Sequence, residues 1–463
     1  MLLRAAAFLS PRNRKAVQQN EKSPGHLWTE AGELKKEETV TDKNINVYGE
    51  EIRNREFITA VYHLELPEGQ DIVKKAARLA VGQTVGTWVP IPGITEDIRE
   101  KYMGKVVRIF DVPSLDLFTQ AVEGRRQYLV EIAYPSANIP EDFPMLLTAL
   151  LGNDASTSAQ VKLLDIEFPE SFIRKFSGPG YGTEGIRKLM EVKRRPLLLN
   201  MIKPCTGLSP EEGAKVFYQV ALGGVDFIKD DELLGNVAYS RPWDRVARYR
   251  KAAAAAYEKT GKKVVYIVNV TDGAATIEDT VQRVLEEGAE MIMMNYPSVG
   301  YSLFRKIASE VPVPVLAHNA GAGMFYEGSS SGMSSPLAAG KLIRMAGADM
   351  VMVNTPYGGY PLEHSKYLQI LQKLQLPYYG LKSSLPVIGG GVHPGMVKKY
   401  VEEAGFDLIL AAGGSIIGHP MGPKAGGRAM GAAIAAAVMK IPLREAAKES
   451  KELKAALELW GEG

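Results

Sequence analysis

One cysteine, Cys205, stands in 463 residues, and that scarcity excludes an intrachain disulfide framework and any metal centre built from several thiolates. An excess of one charge is also missing. Fifty-five basic side chains face 53 acidic ones, a formal +2, so no global field draws in nucleic acid or an anionic membrane, and neither is expected as a partner. No apolar run reaches the roughly 18 to 20 residues that cross a bilayer, and the alanine-rich stretch at 430–439 reads as a packed helix. Walker A and dinucleotide-binding glycine patterns are absent, which argues against ATP and NAD. What is present is a chain that is 46% hydrophobic and long enough for a large core in two or three domains, its lone thiol compatible with a reducing, cytoplasmic setting.

The opening MLLRAAAFLSPRNRK carries Arg4, Arg12, Arg14 and Lys15 and no acid, and a Lys/Glu-rich run follows at 32–43. Residues 1–44 therefore read as a solvated extension rather than a targeting segment. From Phe57 the alternation of FITAVYHLEL predicts a strand, DIVKKAARLAVG a helix, and GKVVRIFDV and RRQYLVEIAYP two more strands. A small α+β domain of ferredoxin-like type is expected over 45–174. Eight short apolar runs then alternate with helical stretches over 175–440: RPLLLNMIKP, GVDFIKDDE, KVVYIVNVTD, EMIMMNYPSVG, VPVLAHN, ADMVMVN, LPVIGGG and DLILAAGG. Near-continuous apolar strands separated by helices predict a parallel sheet covered by helices, and eight units predict a closed (β/α)8 TIM barrel. An open doubly wound sheet is the alternative, disfavoured because the units follow one another without a reversal. Ser209, Pro210 and Glu212 have the spacing of a capping box at the first barrel helix, and a helical tail is expected over 441–463.

The polar ends of barrel strands converge at one mouth, where such enzymes carry their chemistry. Lys229-Asp230-Asp231-Glu232 follows the second strand, and a turn there can gather Lys229, Asp231 and Glu232 around a hard cation; a charged strand end is the plainer reading. Lys203, Asn269 and His318 end other strands. Lys203 can donate a proton or stabilise charge, with a lowered pKa if desolvated, and His318 can polarise an oxygen or relay a proton. Gly389, Gly390 and Gly391 follow the seventh strand, with His393 just beyond, and Gly413 and Gly414 follow the eighth. Two adjacent glycine loops can offer backbone N–H groups to a phosphate, although turns alone explain many glycines. Thr87 and Trp88 in the small domain can contact a ligand at a domain or subunit boundary, or simply pack. Cys205 has no histidine nearby in sequence, so catalysis by its thiol is not expected. Structural roles are favoured for His63 and His364.

In the ordered combination MIKP, GGVDFIKDDE, AHN, VIGGGVHPG and AAGGSIIGHPMG, spread over about 57–440, the chain resembles the RuBisCO superfamily and its non-carboxylating, form IV RuBisCO-like branch. The resemblance implies a small α+β domain before the barrel and a homodimer, or an assembly of dimers, whose active site is shared by two antiparallel subunits. It implies that Lys229 takes up CO2 as a carbamate and holds Mg2+ together with Asp231 and Glu232. Lys203 matches the lysine that forms and protonates enediolates, and His318 matches a retained active-site histidine. Thr87, Trp88, Gly390, Gly391, Gly413 and Gly414 match one phosphate-binding region, with Gly389 in place of a serine.

The departures fall elsewhere. Asn319 stands where the carboxylase has arginine, and Ala322 and Met352 replace two histidines, which disfavours a bisphosphate. Gly82 replaces a glutamate, Met145 an asparagine and Cys205 a second lysine, and the Gly-Lys of the mobile loop after strand six is absent from NTPYGGYPLEHSK. In related methionine-salvage enolases a lysine near the position of Met145 is the base, a role methionine cannot fill. The resemblance then implies Mg2+-assisted enolisation or isomerisation of a singly phosphorylated ketose-like substrate rather than carboxylation. A decarboxylase or transcarboxylase of a phosphorylated β-oxo sugar acid, and a phosphate-ligand binding protein without turnover, remain as alternatives.

Overall fold

A computed structural model describes residues 45–53, 55–87, 91–114 and 124–462. The extension expected over 1–44 lies outside them. In the small domain β1 (Phe57–Pro67) turns Ile58, Ala60, Tyr62 and Leu64 inward and pairs antiparallel with both β3 (Arg125–Pro135) and β4 (Lys162–Glu167). β2 (Lys105–Val112) lies on the far side of β3, giving the order β2-β3-β1-β4. With the helices Ile72–Gly82 and Phe143–Leu151 inserted after β1 and β3, this is the β-α-β-β-α-β arrangement of a ferredoxin-like fold. Asp71 starts the first helix by accepting the amides of Val73 and Lys74.

All eight apolar runs become strands: β5 (Leu197–Met201), β6 (Phe227–Lys229), β7 (Val265–Asn269), β8 (Met291–Asn295), β9 (Val315–His318), β10 (Met350–Asn354), β11 (Leu385–Gly389) and β12 (Ile409–Ala411). Neighbours pair in parallel in chain order, and β12 returns to β5 with Ile409 opposite Leu197, so the sheet closes and the open-sheet alternative is excluded. Leu199, Phe227, Ile267, Met293, Met352 and Val387 belong to the apolar plug that fills it. The capping box forms as its spacing predicts: Ser209 Oγ accepts the Glu212 amide while the Glu212 carboxylate accepts the Ser209 amide. The alanine-rich stretch lies within the helix Pro423–Met439, and the helices Leu443–Glu449 and Lys451–Trp460 follow. His419 Nε2 meets the Glu452 carbonyl at 2.9 Å and ties the last of these to the loop after β12. No helix among the described residues is long and apolar enough to cross a membrane.

Asp226, just before β6, fastens the opposite end of the barrel. It accepts Arg195 through both oxygens at 2.7 Å and the Leu198 amide at 2.8 Å, and Lys262 Nζ lies 3.2 Å away. Burial opposes its ionisation, but these donors outweigh burial and hold the carboxyl below the usual carboxylate range. A depressed folded pKa adds stability above the unfolded value of about 3.9, and that stability is lost as pH falls through the lower folded value. Asp226→Asn is expected to cost on the order of 2 kcal/mol at neutral pH. In urea unfolding the gap to wild type should close as pH drops below about 4; a gap that ignores pH would show that the charge is not the cause.

Candidate active site

The chain leaves β6 at Lys229 and turns through Asp230, Asp231 and Glu232. Asp230 is the pivot of that turn. Fully buried, it accepts Arg245 Nε at 3.1 Å and Nη2 at 3.0 Å, Tyr266 Oη at 2.6 Å and the Asn269 amide at 2.9 Å. Arg245, equally buried, also donates to the carbonyls of Leu234, Gly235 and Ser240 and so gathers the following loop. With Asp230 held inward against Arg245, extended alternation sends its neighbours Lys229 and Asp231 to the other side. Asn269 supports the turn from behind, its Nδ2 donating to the carbonyls of Asp231 at 3.3 Å and Glu232 at 3.2 Å. Asn295, which ends β8 and carries no mark in the sequence pattern, donates to the same Glu232 carbonyl at 3.0 Å. Thr271 joins the two asparagines, donating to Asn269 Oδ1 at 2.6 Å and accepting the Asn295 amide at 2.9 Å.

Lys229 is fully buried, its Nζ donating to the Asp230 carbonyl at 2.8 Å and lying 3.7 Å from Glu232 Oε2. Burial lowers its pKa against the opposing pull of Glu232, Asp231 and Asp230, which favours the neutral amine. Glu232 Oε2 also stands 3.4 Å from His318 Nε2. His318 Nδ1 accepts the Ala320 amide at 3.1 Å, so a neutral ring carries its proton on Nε2, toward Glu232. Burial first, then the charges of Lys229 and Lys203, push the His318 pKa well below the usual histidine value. Lys203, beyond β5, donates to Asp231 Oδ2 at 2.6 Å and Cys205 Sγ at 2.9 Å. The expected lowering of the Lys203 pKa is reversed: burial opposes the charge, but the bonds to Asp231 and Cys205 outweigh it and hold the ammonium above the ordinary lysine range. Asp231 is held low in return, burial being outweighed by Lys203 and the Leu233 amide. Two carboxylates at one turn suit a hard divalent cation. Among the described residues, no three acidic, histidine or cysteine side chains group closely enough to hold one unaided.

β11 runs into Gly390 and Gly391 at φ +91° and +84°, a left-handed backbone that glycine adopts without strain. Neither amide donates to a protein acceptor among the described residues. Ser415 Oγ donates to the Val392 carbonyl at 2.6 Å and ties this loop to Gly413 and Gly414 at the head of the helix Gly414–Ile417. His393, next along, is half-buried, its pKa lowered by burial and its Nδ1 without a partner among the described residues. Thr87 is half-buried just past the first helix of the small domain, and Trp88 lies outside the described residues. Just after β9, Asn319 Nδ2 donates to Asn354 Oδ1 on β10 at 3.2 Å, and Ala322 and Met352 are buried. These four side chains bring no charge for a second phosphate. A side chain at Gly82 would overlap the Asp154 carboxylate, and Met145 is 47% exposed.

Two family models cover almost all of the described chain: the ribulose bisphosphate carboxylase large chain N-terminal domain at residues 49–172 and its catalytic domain at 182–460. A ribulose bisphosphate carboxylase-like protein of Archaeoglobus fulgidus is 40% identical, over 83% of this chain and 88% of that protein. A 2,3-diketo-5-methylthiopentyl-1-phosphate enolase of Geobacillus kaustophilus is 36% identical, over 86% and 96%. Among solved structures, a rubisco-like protein (MtnW) of Alicyclobacillus acidocaldarius superposes with TM-score 0.81 at 34% identity, covering 88% of this chain and 100% of that one. The octameric Rubisco of Pyrococcus horikoshii gives 0.80 at 30% identity, covering 87% and 93%. The chain belongs to the RuBisCO large-chain family and, within it, to the non-carboxylating, form IV RuBisCO-like branch.

Two of its departures from the carboxylase pattern are one packing event. A Cβ placed on Gly389 would sit 2.7 Å from Met352 Cε, the flexible end of the methionine on β10, so a serine on β11 would require that methyl to swing aside. Gly389→Ser is expected to destabilise the barrel by about 1 kcal/mol, the cost of moving the flexible methionine end off its preferred rotamer. Adding Met352→Ala should recover part of that loss in denaturant unfolding, and strictly additive costs would disprove the coupling.

Proposed function

We propose that the chain catalyses cation-assisted enolisation of a keto substrate carrying one phosphate, without carboxylation. The observation that carries this reading is the convergence at one mouth of Lys203 on Asp231 and of Lys229 and His318 on Glu232. A neutral, buried Lys229 amine is the form that adds CO2, forming a C–N bond and losing a proton. The resulting carbamate supplies the third anionic ligand that Asp231 and Glu232 lack, so the donor set suits Mg2+. Held by Asp231, Glu232 and a Lys229 carbamate, Mg2+ would supply Lewis-acid polarisation of a carbonyl.

The protein's own groups do the rest. Gly390 and Gly391 offer free amides to the phosphate, with Gly413, Gly414, Thr87 and Trp88 assigned to the same end. Asn319 and Asn354, neutral and bonded to each other, suit a substrate end without charge. The relatives' enolase substrate, by name a diketone monophosphate, has that polarity. His318 presents Nε2–H to a substrate oxygen. Lys203, whose ammonium donates to Asp231 Oδ2 at 2.6 Å, is the group placed to hand a proton to or from the substrate carbon. Met145 carries no basic atom, which leaves Lys203 as the assigned base. Leu233 and Met324, 67% and 68% exposed beside the mouth, offer apolar rim for a second copy, and a homodimer or assembly of dimers with a shared site accords with the octameric relative.

Solvent deuterium exchange into a diketone monophosphate, after preincubation with Mg2+ and bicarbonate, is expected for the wild type. Lys203→Ala should lower its rate by about 10²–10⁴. Silence of the wild type across phosphorylated ketones would reject enolisation. With 13C-bicarbonate and Mg2+, a carbamate resonance should appear in the wild type and vanish in Lys229→Ala; a resonance surviving that substitution would remove Lys229 from the cation site.

A further inference from the structure

The loop after β10 replaces the family's mobile Gly-Lys loop with Thr355–Glu363, and the structure shows it bolted down from behind. Thr355 begins the fastening: its amide meets the Gly389 carbonyl at 3.3 Å, and its hydroxyl donates to the Gly390 carbonyl at 3.2 Å and accepts the Tyr357 amide at 3.0 Å. The Leu362 amide returns to the Thr355 carbonyl at 3.3 Å and pinches the loop base. Gly358 lies directly on the glycine loop of β11. A Cβ on Gly358 would overlap the Gly390 carbonyl oxygen, and one on Gly391 would sit 2.9 Å from Gly358 Cα. The two loops therefore touch backbone to backbone at the residues assigned to the phosphate.

What holds Gly358 there is its neighbour. Tyr357 Oη donates to Glu403 Oε1 on the helix Val397–Ala404, and Lys399 Nζ sits 3.8 Å over the Tyr357 ring. His364 Nε2, at the head of the following helix, reaches the same Glu403 oxygen at 3.3 Å. Glu403 thus clasps both ends of the loop from a neighbouring barrel unit, with its side chain only 17% exposed. A carboxylate half out of water between two donors is a strong, oriented acceptor.

We infer that Glu403 is a positioning residue, which, through Tyr357, fastens the strand-six loop against Gly390 and Gly391 and so sets affinity at the phosphate end of the site. The inference rests on the phosphate reading above. Its test separates the two with hydrogen exchange, which needs no ligand, and with inorganic phosphate as the binding probe.

In the full chain, Glu403→Ala and Tyr357→Phe should each speed amide exchange across 356–362 about tenfold while β10 stays protected, and should raise the phosphate Kd by a similar factor. With substrate, KM should rise and kcat stay nearly unchanged. Glu403→Gln, which keeps an acceptor for Tyr357, should restore most of the affinity. Unchanged exchange in both variants overturns the clasp, and Tyr357→Phe removes only a hydroxyl, so misfolding of Glu403→Ala does not rescue the idea. Faster exchange with unchanged phosphate affinity overturns the positioning role. If the wild type binds no phosphate and Gly391→Ala alters nothing, the phosphate reading falls and takes the positioning role with it, whatever the exchange shows.

Discussion

The buried pair of Asp230 and Arg245 is the constraint on which the candidate site depends. Both side chains are fully removed from solvent, and each is saturated: the carboxylate by Arg245, Tyr266 and the Asn269 amide, the guanidinium by Asp230 and three loop carbonyls. Such a pair adds little net stability over an apolar substitute, but losing one partner costs about 3–5 kcal/mol because the other charge is stranded. Its value here is directional. Anchoring the middle residue of Lys229-Asp230-Asp231 on the outer side of the barrel wall leaves the flanking two no choice of face. A charged tetrapeptide that would otherwise sample many turns presents one lysine and two carboxylates from a single backbone arrangement.

That anchoring also explains why the site is electrostatically poised in the protein alone. Asp231 finds its counter-charge in Lys203, and Glu232 shares Lys229 and His318. Lysine and acid thus balance each other's charge within the protein. Lys203 is held charged by Asp231 while Lys229, deeper and without a bidentate partner, is driven toward neutrality by burial. The environments of two lysines in one mouth thereby push their pKa values in opposite directions.

The barrel was legible from its apolar runs because a parallel sheet buried on both faces leaves a continuous hydrophobic signature, and all eight strands fall inside the runs that mark them. The candidate residues at strand ends were legible for a related reason: position at a strand C-terminus is a one-dimensional fact. The direction of the Lys203 pKa was not, since it depends on a 2.6 Å contact with a residue on the next strand. Asn295 resembles an ordinary strand end in MIMMN, and only its bond to the Glu232 carbonyl marks it. In the small domain, β1 to β3 show alternation, whereas the six-residue β4 is marked chiefly by its pairing with β1. Glu403 gave no signal at all, being one glutamate of two in VKKYVEEA, and its partners lie 39 and 46 residues away.

The difference between this chain and a carboxylase is therefore less a list of lost residues than a repacking of one side of the mouth. Met352 leans over Gly389, and Asn319 and Asn354 satisfy each other. A serine at Gly389 would have to displace the Met352 methyl, and Asn319 is already engaged with Asn354. The half of the mouth that carries Lys203, Lys229, Asp231, Glu232 and His318 is fixed from behind by Asp230, Arg245 and the asparagine supports, and the replaced residue there, Cys205, accepts Lys203. Chemistry that needs only that half survives the repacking. Enolisation at a polarised carbonyl is such a chemistry; adding CO2 to the resulting enolate, which requires charge stabilisation on the altered side, is not.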